Sequence, residues 1–182
     1  MKTIVLFLSL IISLNLYAAK GSVTGLDIPR FVSLKSNDAN LRVGPSVNYP
    51  IIIKYVQKNL PVKIIDEFDV WRKIIDYENN IGWLHKSLIK GDRFVLTGVR
   101  IEDSVNIYNR PKGKLIGIVK KNNILSLKSC LANWCYVNDN KIHGWLTKDS
   151  IWGVYKKEIY NQSFYQPVMN QYWKILDSKW FK

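Results

Sequence analysis

Cysteine and histidine are scarce in this sequence, which has only two of each among 182 residues. A zinc site usually takes four ligands, and the two histidines differ in context: His85 follows a Gly-Trp-Leu segment, whereas His143 precedes one. A cysteine hydrolase needs a free thiol beside a histidine, but Cys130 and Cys135 are close enough in sequence to bond to each other. We therefore predict neither a metal site nor a Cys-His active site.

The two cysteines are predicted to form a disulfide. They flank residues 131–134, and a close, even pair in an exported protein is more often bridged than free. The two ends of a short hairpin connection bring their Cβ atoms near the roughly 3.8 Å that a disulfide needs. A disulfide that closes so short a loop stabilises the fold by less than the roughly 3 kcal/mol expected when it closes a fifteen-residue loop. We expect the bridge to stabilise one turn locally rather than to stabilise the whole fold.

Other catalytic patterns are also missing. The sequence contains no glycine-rich phosphate loop and no Ser-His-Asp arrangement. Asp66, Glu67 and Asp69 form an acidic cluster between two predicted strands, where solvated turn residues are expected, and no second acidic pair has the spacing of a glycosidase. His85 fits a half-exposed residue at a strand end better than a general base. We expect a protein that is not an enzyme and uses no cofactor.

Long hydrophobic runs are absent after Lys20, because charged residues, asparagine and glycine interrupt every such run. At the N-terminus, a Met-Lys pair precedes an apolar run over residues 3–14, and small residues follow at Ala18 and Ala19. This pattern predicts a signal peptide over residues 1–18. An uncleaved anchor is the alternative, but the run is shorter than the roughly twenty residues of a membrane-spanning helix. We expect an exported, periplasmic protein.

Acidic residues are outnumbered: 14 Asp and Glu oppose 27 Lys and Arg, for a net charge of +13. Removal of residues 1–18 takes away one lysine and leaves a net charge of +12. In an intracellular protein such a balance would suggest nucleic acid. For an exported protein it favours an anionic envelope polymer, a lipid head group or an acidic protein, and we expect no nucleic-acid partner.

An internal repeat organises the rest of the chain. Residues 40–45 are echoed by residues 106–111, with Asn and Pro at the same spacing, and the segment 81–84 is echoed by 143–146. The tryptophans of the two units also correspond, Trp71 with Trp134 and Trp83 with Trp145. The sequence therefore predicts one folding unit that occurs twice.

Each unit consists of short β-favouring runs separated by Pro, Asn, Asp and Gly, with no sustained helical period. About sixty residues with some five strands favour a small, partly closed barrel. We predict an all-β fold of two tandem SH3-like β-barrels with a short C-terminal helical segment. The expected domains are residues 28–92 and 93–153, followed by a tail over 154–182. Such small units are marginal alone, so we expect the barrels to pack on each other.

The first unit resembles the bacterial SH3 domain family. The resemblance rests on a Gly-Trp pair at Gly82 and Trp83, on Tyr49 and Pro50, and on an opening motif. That motif reads Asn40-Leu41-Arg42-Val43-Gly44-Pro45-Ser46. The second unit departs from it, because Tyr108, Asn109 and Arg110 replace the Arg-Val-Gly stretch. The resemblance implies a non-catalytic binding module that holds peptidoglycan or an envelope protein, and it names no ligand for a stand-alone tandem protein.

Aromatic and arginine residues are the best candidates for ligand contacts. Most of the four matched tryptophans are expected in the barrel cores, whereas several tyrosines fall near turns and are expected to be exposed. Aromatic faces beside arginines suit a glycan strand or an extended peptide with acidic groups. The candidate ligand-binding residues are Arg42, Tyr49, Tyr55, Arg72, Tyr77 and Tyr108.

A helix is predicted over about residues 167–180. Apolar and aromatic residues recur there at spacings of three and four, and Pro167 suits a first helical turn. Two interpretations remain open. The apolar face either packs across the barrels, or, together with Lys174, Lys179 and Lys182, it contacts a membrane surface or a partner protein.

Overall fold

The computed structural model describes residues 19–99, 103–161, 165, 168, 169, 171–173 and 175. The signal peptide predicted over residues 1–18 lies outside this part of the chain. A small hairpin opens the described region, with strand β1 at Ala19–Lys20 paired antiparallel to β2 at Asp27–Ile28.

The first repeat forms a seven-stranded antiparallel sheet with the order β5-β4-β8-β7-β6-β3-β9. The last two strands of this repeat in chain order are joined by a 3₁₀ turn at Lys86–Leu88. Buried residues alternate with half-buried ones along β4 and along most of β7, as in strands that have one face on a core. The strands are β3 Arg30–Leu34, β4 Ala39–Arg42, β5 Ile51–Tyr55, β6 Pro61–Phe68, β7 Trp71–Ile75, β8 Ile81–His85 and β9 Ile89–Lys90.

The second repeat has the same topology, with the order β12-β11-β15-β14-β13-β10-β16. A 3₁₀ turn at Lys148–Ser150 corresponds to the turn of the first repeat. The prediction of an all-β fold with two tandem SH3-like units is therefore confirmed. The strands are β10 Phe94–Thr97, β11 Ser104–Tyr108, β12 Leu115–Lys120, β13 Ile124–Cys130, β14 Trp134–Asp139, β15 Ile142–Thr147 and β16 Ile151–Trp152.

The matched tryptophans are not buried alike. Trp71 and Trp145 are both 7% exposed, whereas Trp83 and Trp134 are half-buried. Equivalent positions in the two barrels therefore have different environments, and two of the four tryptophans lie at the barrel surface rather than in a core.

The two barrels pack on each other, as expected. Trp152 of β16 and Leu96 of β10 belong to the second sheet, but their side chains join the core of the first barrel. The ring of Phe31 in β3 meets Trp152 edge-on at 5.4 Å between centroids. The Arg93 guanidinium lies 5.7 Å from the Phe31 ring and forms a two-pronged ion pair with Glu158 at 2.8 and 3.2 Å. The contact between the barrels is therefore largely apolar, with one ion pair beside it.

Glu67 is not the solvated turn residue that the sequence suggested. It lies within β6, and its side chain has no exposed surface. A β-bulge between Ile64 and Asp66 shifts the register of β6 against β7, and Glu67 faces inward after it. Its carboxylate accepts hydrogen bonds from Arg30 at 2.6 Å and from the backbone and hydroxyl of Thr24 at 2.8 Å.

These contacts tie the N-terminal hairpin to the first barrel and set the ionisation of Glu67. Burial by itself would raise the pKa of Glu67. The hydrogen bonds from Arg30, Thr24 and Val23 outweigh burial and lower the pKa from 4.5 to about 2. A Cβ atom on Gly21 would lie 2.4 Å from the carboxylate, so the hairpin approaches this group as closely as only glycine allows.

The predicted disulfide between Cys130 and Cys135 is confirmed. The two residues are direct partners in the β13–β14 hairpin, and both are fully buried in the second core. Cys130 also exchanges backbone hydrogen bonds with Tyr160 at 2.8 and 3.2 Å. The bridge therefore anchors the chain that follows the second barrel as well as the hairpin itself.

The predicted C-terminal helix is confirmed at Val168, Met169, residues 171–173 and Ile175, and its other residues lie outside the described chain. The Trp173 ring meets Trp145 of the second barrel edge-on at 6.1 Å, which supports packing on the barrel. Val168 and Tyr172, four residues apart, are 66% and 52% exposed. No helix in the described residues is both long and apolar enough to cross a membrane.

Candidate ligand-binding grooves

A groove of about 240 Å³ opens on the first barrel, between β4, the end of β8 and the 3₁₀ turn. It is lined by Asn40, Arg42, Val47, Trp71, His85, Ser87 and Leu88. The opening motif of the family resemblance supplies Asn40 and Arg42, and the residues after the Gly-Trp pair supply His85 and Ser87. The two halves of the motif therefore meet at one surface site.

His85 is held in place by the turn that it begins. Its Nδ1 lies 2.7 Å from the Ser87 hydroxyl and accepts the Ser87 backbone N–H at 3.3 Å. The Trp71 ring meets the imidazole edge-on at 5.5 Å. His85 is half-buried at the strand end, as expected, and the side chain forms a fixed wall of the groove.

Arg42 joins the groove to the loop over residues 43–50. Its Nη1 donates to the backbone carbonyls of Val47 and Tyr49 at 2.8 and 2.7 Å. Nε and Nη2 have no hydrogen-bond partner among the described residues, so one edge of the guanidinium remains available. The Tyr49 ring covers Gly44, where a Cβ atom would lie 2.6 Å from it. The motif thus shapes the loop and places a cation beside the groove.

The glycine of the Gly-Trp pair allows two strands to come close. A Cβ atom on Gly82 would lie 2.7 Å from the Arg42 carbonyl oxygen, a distance that the backbone cannot relieve cheaply. Gly144 occupies the same place in the second barrel, where a Cβ atom would lie 2.9 Å from the Tyr108 carbonyl oxygen. Each close approach involves a residue that lines a groove, Arg42 in the first barrel and Tyr108 in the second.

The second barrel has a groove of about 180 Å³ at the equivalent position. Asn106 matches Asn40, and the 3₁₀ turn again forms one side. The other positions differ: Tyr108 replaces Arg42, Thr147 replaces His85 and Asp149 replaces Ser87. The lining residues are Gly98, Ser104, Val105, Asn106, Tyr108, Thr147, Asp149 and Ser150.

Two of the predicted ligand-binding residues are not exposed. Tyr55 is 7% exposed, and its hydroxyl donates to the Asp76 carboxylate at 2.8 Å. Burial, aided by this hydrogen bond, raises the pKa of Tyr55 above its ordinary value. Arg72 is 5% exposed and donates to the carbonyls of Asp69 and Trp71 at 2.8 Å. Both side chains complete the interior of the first barrel. The expected exposure of Tyr55 is therefore wrong, whereas ligand contact by either residue stays a prediction.

The other predicted residues lie at or near the surface. Arg42 and Tyr108 line the two grooves. Tyr49 is 47% exposed and sits on the loop that Arg42 holds, whereas Tyr77 is half-buried against the first core. Sequence reasoning missed Asn40, His85 and Ser87 as groove residues. The repeat carried the signal for His85 and Ser87, because their equivalents Thr147 and Asp149 lie at the same distances after the glycine of the second Gly-Trp pair. Asn40 and Asn106 instead share their place at the start of the two Asn…Pro segments.

Within the described residues, no three side chains of His, Cys, Asp or Glu are grouped closely enough to hold a metal ion. The two histidines lie on different barrels, His85 in the first groove and His143 on the hairpin between β14 and β15. The chemistry available in the grooves is hydrogen bonding, charge pairing and ring contact.

Two solved structures from Trichomonas vaginalis are similar to parts of this chain. NlpC2 is 13% identical, with 71% of this chain and 50% of that chain covered and a TM-score of 0.31. NlpC1 is also 13% identical, with 72% and 48% covered and a TM-score of 0.28. This chain therefore spans about half the length of either protein. No curated protein matches the sequence.

The sequence profile described as "Bacterial SH3 domain" matches residues 35–91 and 102–153. These two segments contain six of the seven strands of each sheet and leave out β3 and β10. Together they cover more than half of the chain. The protein therefore belongs to the bacterial SH3 domain family.

Proposed function

We propose that this protein is a non-catalytic, periplasmic binding module that holds peptidoglycan. The observation that carries the proposal is the groove of the first barrel, in which Arg42 presents one edge of its guanidinium beside Trp71 and His85. A guanidinium edge pairs with a carboxylate through two parallel hydrogen bonds. The acidic stem peptide of the polymer supplies such carboxylates along an extended chain.

Charge and compartment support the same proposal. The chain has a net charge of +13, which favours association with an anionic polymer. The buried disulfide suits an oxidising compartment outside the cytoplasm, and the predicted signal peptide would deliver the protein there. The family is one of binding domains, and the grooves offer contacts for a ligand rather than a nucleophile with its base.

A groove-filling variant tests this function. Ser87 is exposed at the rim of the first groove, so Ser87→Trp fills the groove without disturbing the core. We expect purified peptidoglycan to pellet the wild-type protein, and the pelleted fraction to fall as salt rises from about 0.05 to about 0.5 M. Ser87→Trp should lower the apparent affinity about tenfold, which corresponds to the loss of one charged contact.

Gln57→Trp is the matched control, because Gln57 is exposed and uncharged on the same barrel and lies outside the groove. It should pellet like the wild-type protein. Absence of pelleting by the wild-type protein at low salt would contradict the proposed function. Equal pelleting of all three proteins would contradict the groove as its site.

The C-terminal helix favours a second candidate function, attachment to an anionic membrane surface. Val168 and Tyr172 are exposed on one helical face, and apolar and aromatic residues beside lysines suit the lipid interface. We expect the protein to float with vesicles that contain anionic lipid and not with neutral vesicles. Val168→Ser with Tyr172→Ser should abolish flotation, whereas Val23→Ser with Val56→Ser, two exposed sites elsewhere, should not. Flotation that survives the helix substitutions would contradict this candidate.

A further inference from the structure

We propose that the groove of the second barrel is a separate binding site for an uncharged saccharide, so that the two barrels hold different parts of one polymer. The inference rests on the proposed function and names the ligand class of a groove of which the sequence predicted only Tyr108. It follows from a comparison of equivalent positions in the two grooves, where the backbone fold is the same but the side chains differ in charge and polarity.

The electrostatics of the two grooves are opposite. The first groove contains the cation Arg42 and no acidic residue. In the second groove, Tyr108 replaces the arginine and Asp149 introduces a carboxylate. An acidic peptide that is attracted to the first groove is therefore repelled by the second, because like charges in close contact destabilise a complex.

Within the described residues, no cation pairs with Asp149. Lys148 is adjacent in sequence, but its side chain is buried, and its Nζ donates to the carbonyls of Lys156, at 3.1 Å, and Glu158. Asp149 itself is exposed. The carboxylate is thus an acceptor at the groove rim that no side chain in the described part of the chain occupies.

The polar groups of the second groove suit sugar hydroxyls. A carboxylate accepts two or more hydrogen bonds, and an amide both donates and accepts; Asp149 and Asn106 supply one of each. Neither side chain has a hydrogen-bond partner in the described part of the chain. Adjacent hydroxyls on a sugar ring can donate to the carboxylate and accept from the amide, which an apolar or anionic ligand cannot do.

An aromatic ring completes the site. Tyr108 lines the groove, and its ring is fixed edge-on against Trp134 at 5.3 Å between centroids. The C–H face of a sugar ring packs on such a surface, because the aromatic face is apolar and partially negative. By contrast, the Thr147 and Ser150 hydroxyls contact each other at 3.2 Å, and the Ser150 hydroxyl donates to the Thr147 carbonyl at 2.7 Å. These two hydroxyls stabilise the 3₁₀ turn. Asn106, Tyr108 and Asp149 therefore remain to contact the ligand.

A residue exchange at equivalent positions tests the assignment. Ser87→Asp places a carboxylate in the first groove, and Asp149→Ser removes it from the second. The probes are N,N′,N″-triacetylchitotriose (chitotriose hereafter), a neutral sugar trimer, and N-acetyl-alanyl-glutamyl-alanine, an acidic tripeptide. Binding is followed by backbone amide shifts of the full-length chain during titration with each probe.

In the wild-type protein, chitotriose should shift amides of residues 104–108 and 147–150, and the tripeptide should shift amides of residues 40–49 and 85–88. Asp149→Ser should weaken chitotriose binding at least about tenfold, since it removes a charged acceptor whose hydrogen bonds are stronger than neutral ones, and should leave the tripeptide unaffected. Ser87→Asp should weaken only the tripeptide, by a similar factor.

Absence of chitotriose shifts at the second groove overturns the inference, and so does equal affinity of wild-type and Asp149→Ser for chitotriose. Either result, with peptidoglycan still pelleting the wild-type protein and Ser87→Trp still reducing it, leaves the proposed function intact. Failure of the wild-type protein to pellet removes the proposed function as well. The two failures are therefore distinguishable.

Discussion

Replacement of Glu67 by glutamine is expected to destabilise the protein by about 3–5 kcal/mol. The substitution removes the negative charge that Arg30 approaches at 2.6 Å and Arg72 at 3.5 Å, in a place where the glutamate side chain has no exposed surface. It also weakens the anchoring of the N-terminal hairpin through Thr24. Urea unfolding measures the change as a lower midpoint at an unchanged slope.

Glu78→Gln is the matched control for this experiment. Glu78 is exposed on the turn between β7 and β8, and within the described residues it forms no ion pair; its carboxylate lies 3.5 Å from the Asn80 amide nitrogen. Its substitution should change the free energy of unfolding by no more than about 0.5 kcal/mol. Similar effects of the two substitutions would contradict the structural role of Glu67.

The same carboxylate predicts how stability depends on pH. Because the pKa of Glu67 is lowered from 4.5 to about 2 by folding, its stabilisation is fully present above the unfolded value and is lost as the pH falls toward the folded value. The expected loss is about 3 kcal/mol between pH 5 and pH 2. The measurement is the unfolding free energy across this range, in which Glu67→Gln should show a correspondingly flatter profile.

Trp152→Ala is expected to destabilise both barrels together, by about 3–5 kcal/mol. Trp152 is 9% exposed and belongs by sequence to the second barrel, but its side chain fills part of the first core and meets Phe31. Its removal leaves a cavity at the junction. Hydrogen exchange along β6 of the first barrel and β13 of the second should report faster opening in both.

Trp83→Ala provides the comparison for this prediction, because Trp83 is half-buried and lies beneath the Lys73 ammonium at 5.9 Å rather than in a core. We expect a smaller loss of stability, confined to the first barrel. Opening of the second barrel alone in the Trp152 variant would show that the barrels unfold independently and would contradict the shared core.

Much of the fold could be predicted because its signals are local or repeated. Strand-length runs between turn residues predicted the β class, and the echo of the Asn…Pro and Gly-Trp segments predicted two units of one topology. The disulfide between Cys130 and Cys135 followed from their close spacing, since the two ends of a short hairpin connection must meet.

The candidate site was less predictable. Tyr55 and Arg72 are of residue types that often contact ligands. Their polar groups, however, are bonded inside the protein, Tyr55 to Asp76 and Arg72 to a backbone carbonyl, and such partners satisfy them as well as a ligand would. Glu67 was mistaken for a turn residue because a β-bulge shifts the strand register after Ile64, and no local pattern in the sequence marks that bulge. Burial of a polar side chain depends on partners that are distant in the chain.

The sequence by itself determined that this protein has two copies of a small β unit, a close cysteine pair and an excess of positive charge. Only the tertiary structure decided which side chains line the grooves, which tryptophans are buried and that Trp152 completes the core of the other barrel. The physical reason is that strand class and hairpin closure depend on neighbouring residues, whereas exposure depends on register and on contacts between distant segments.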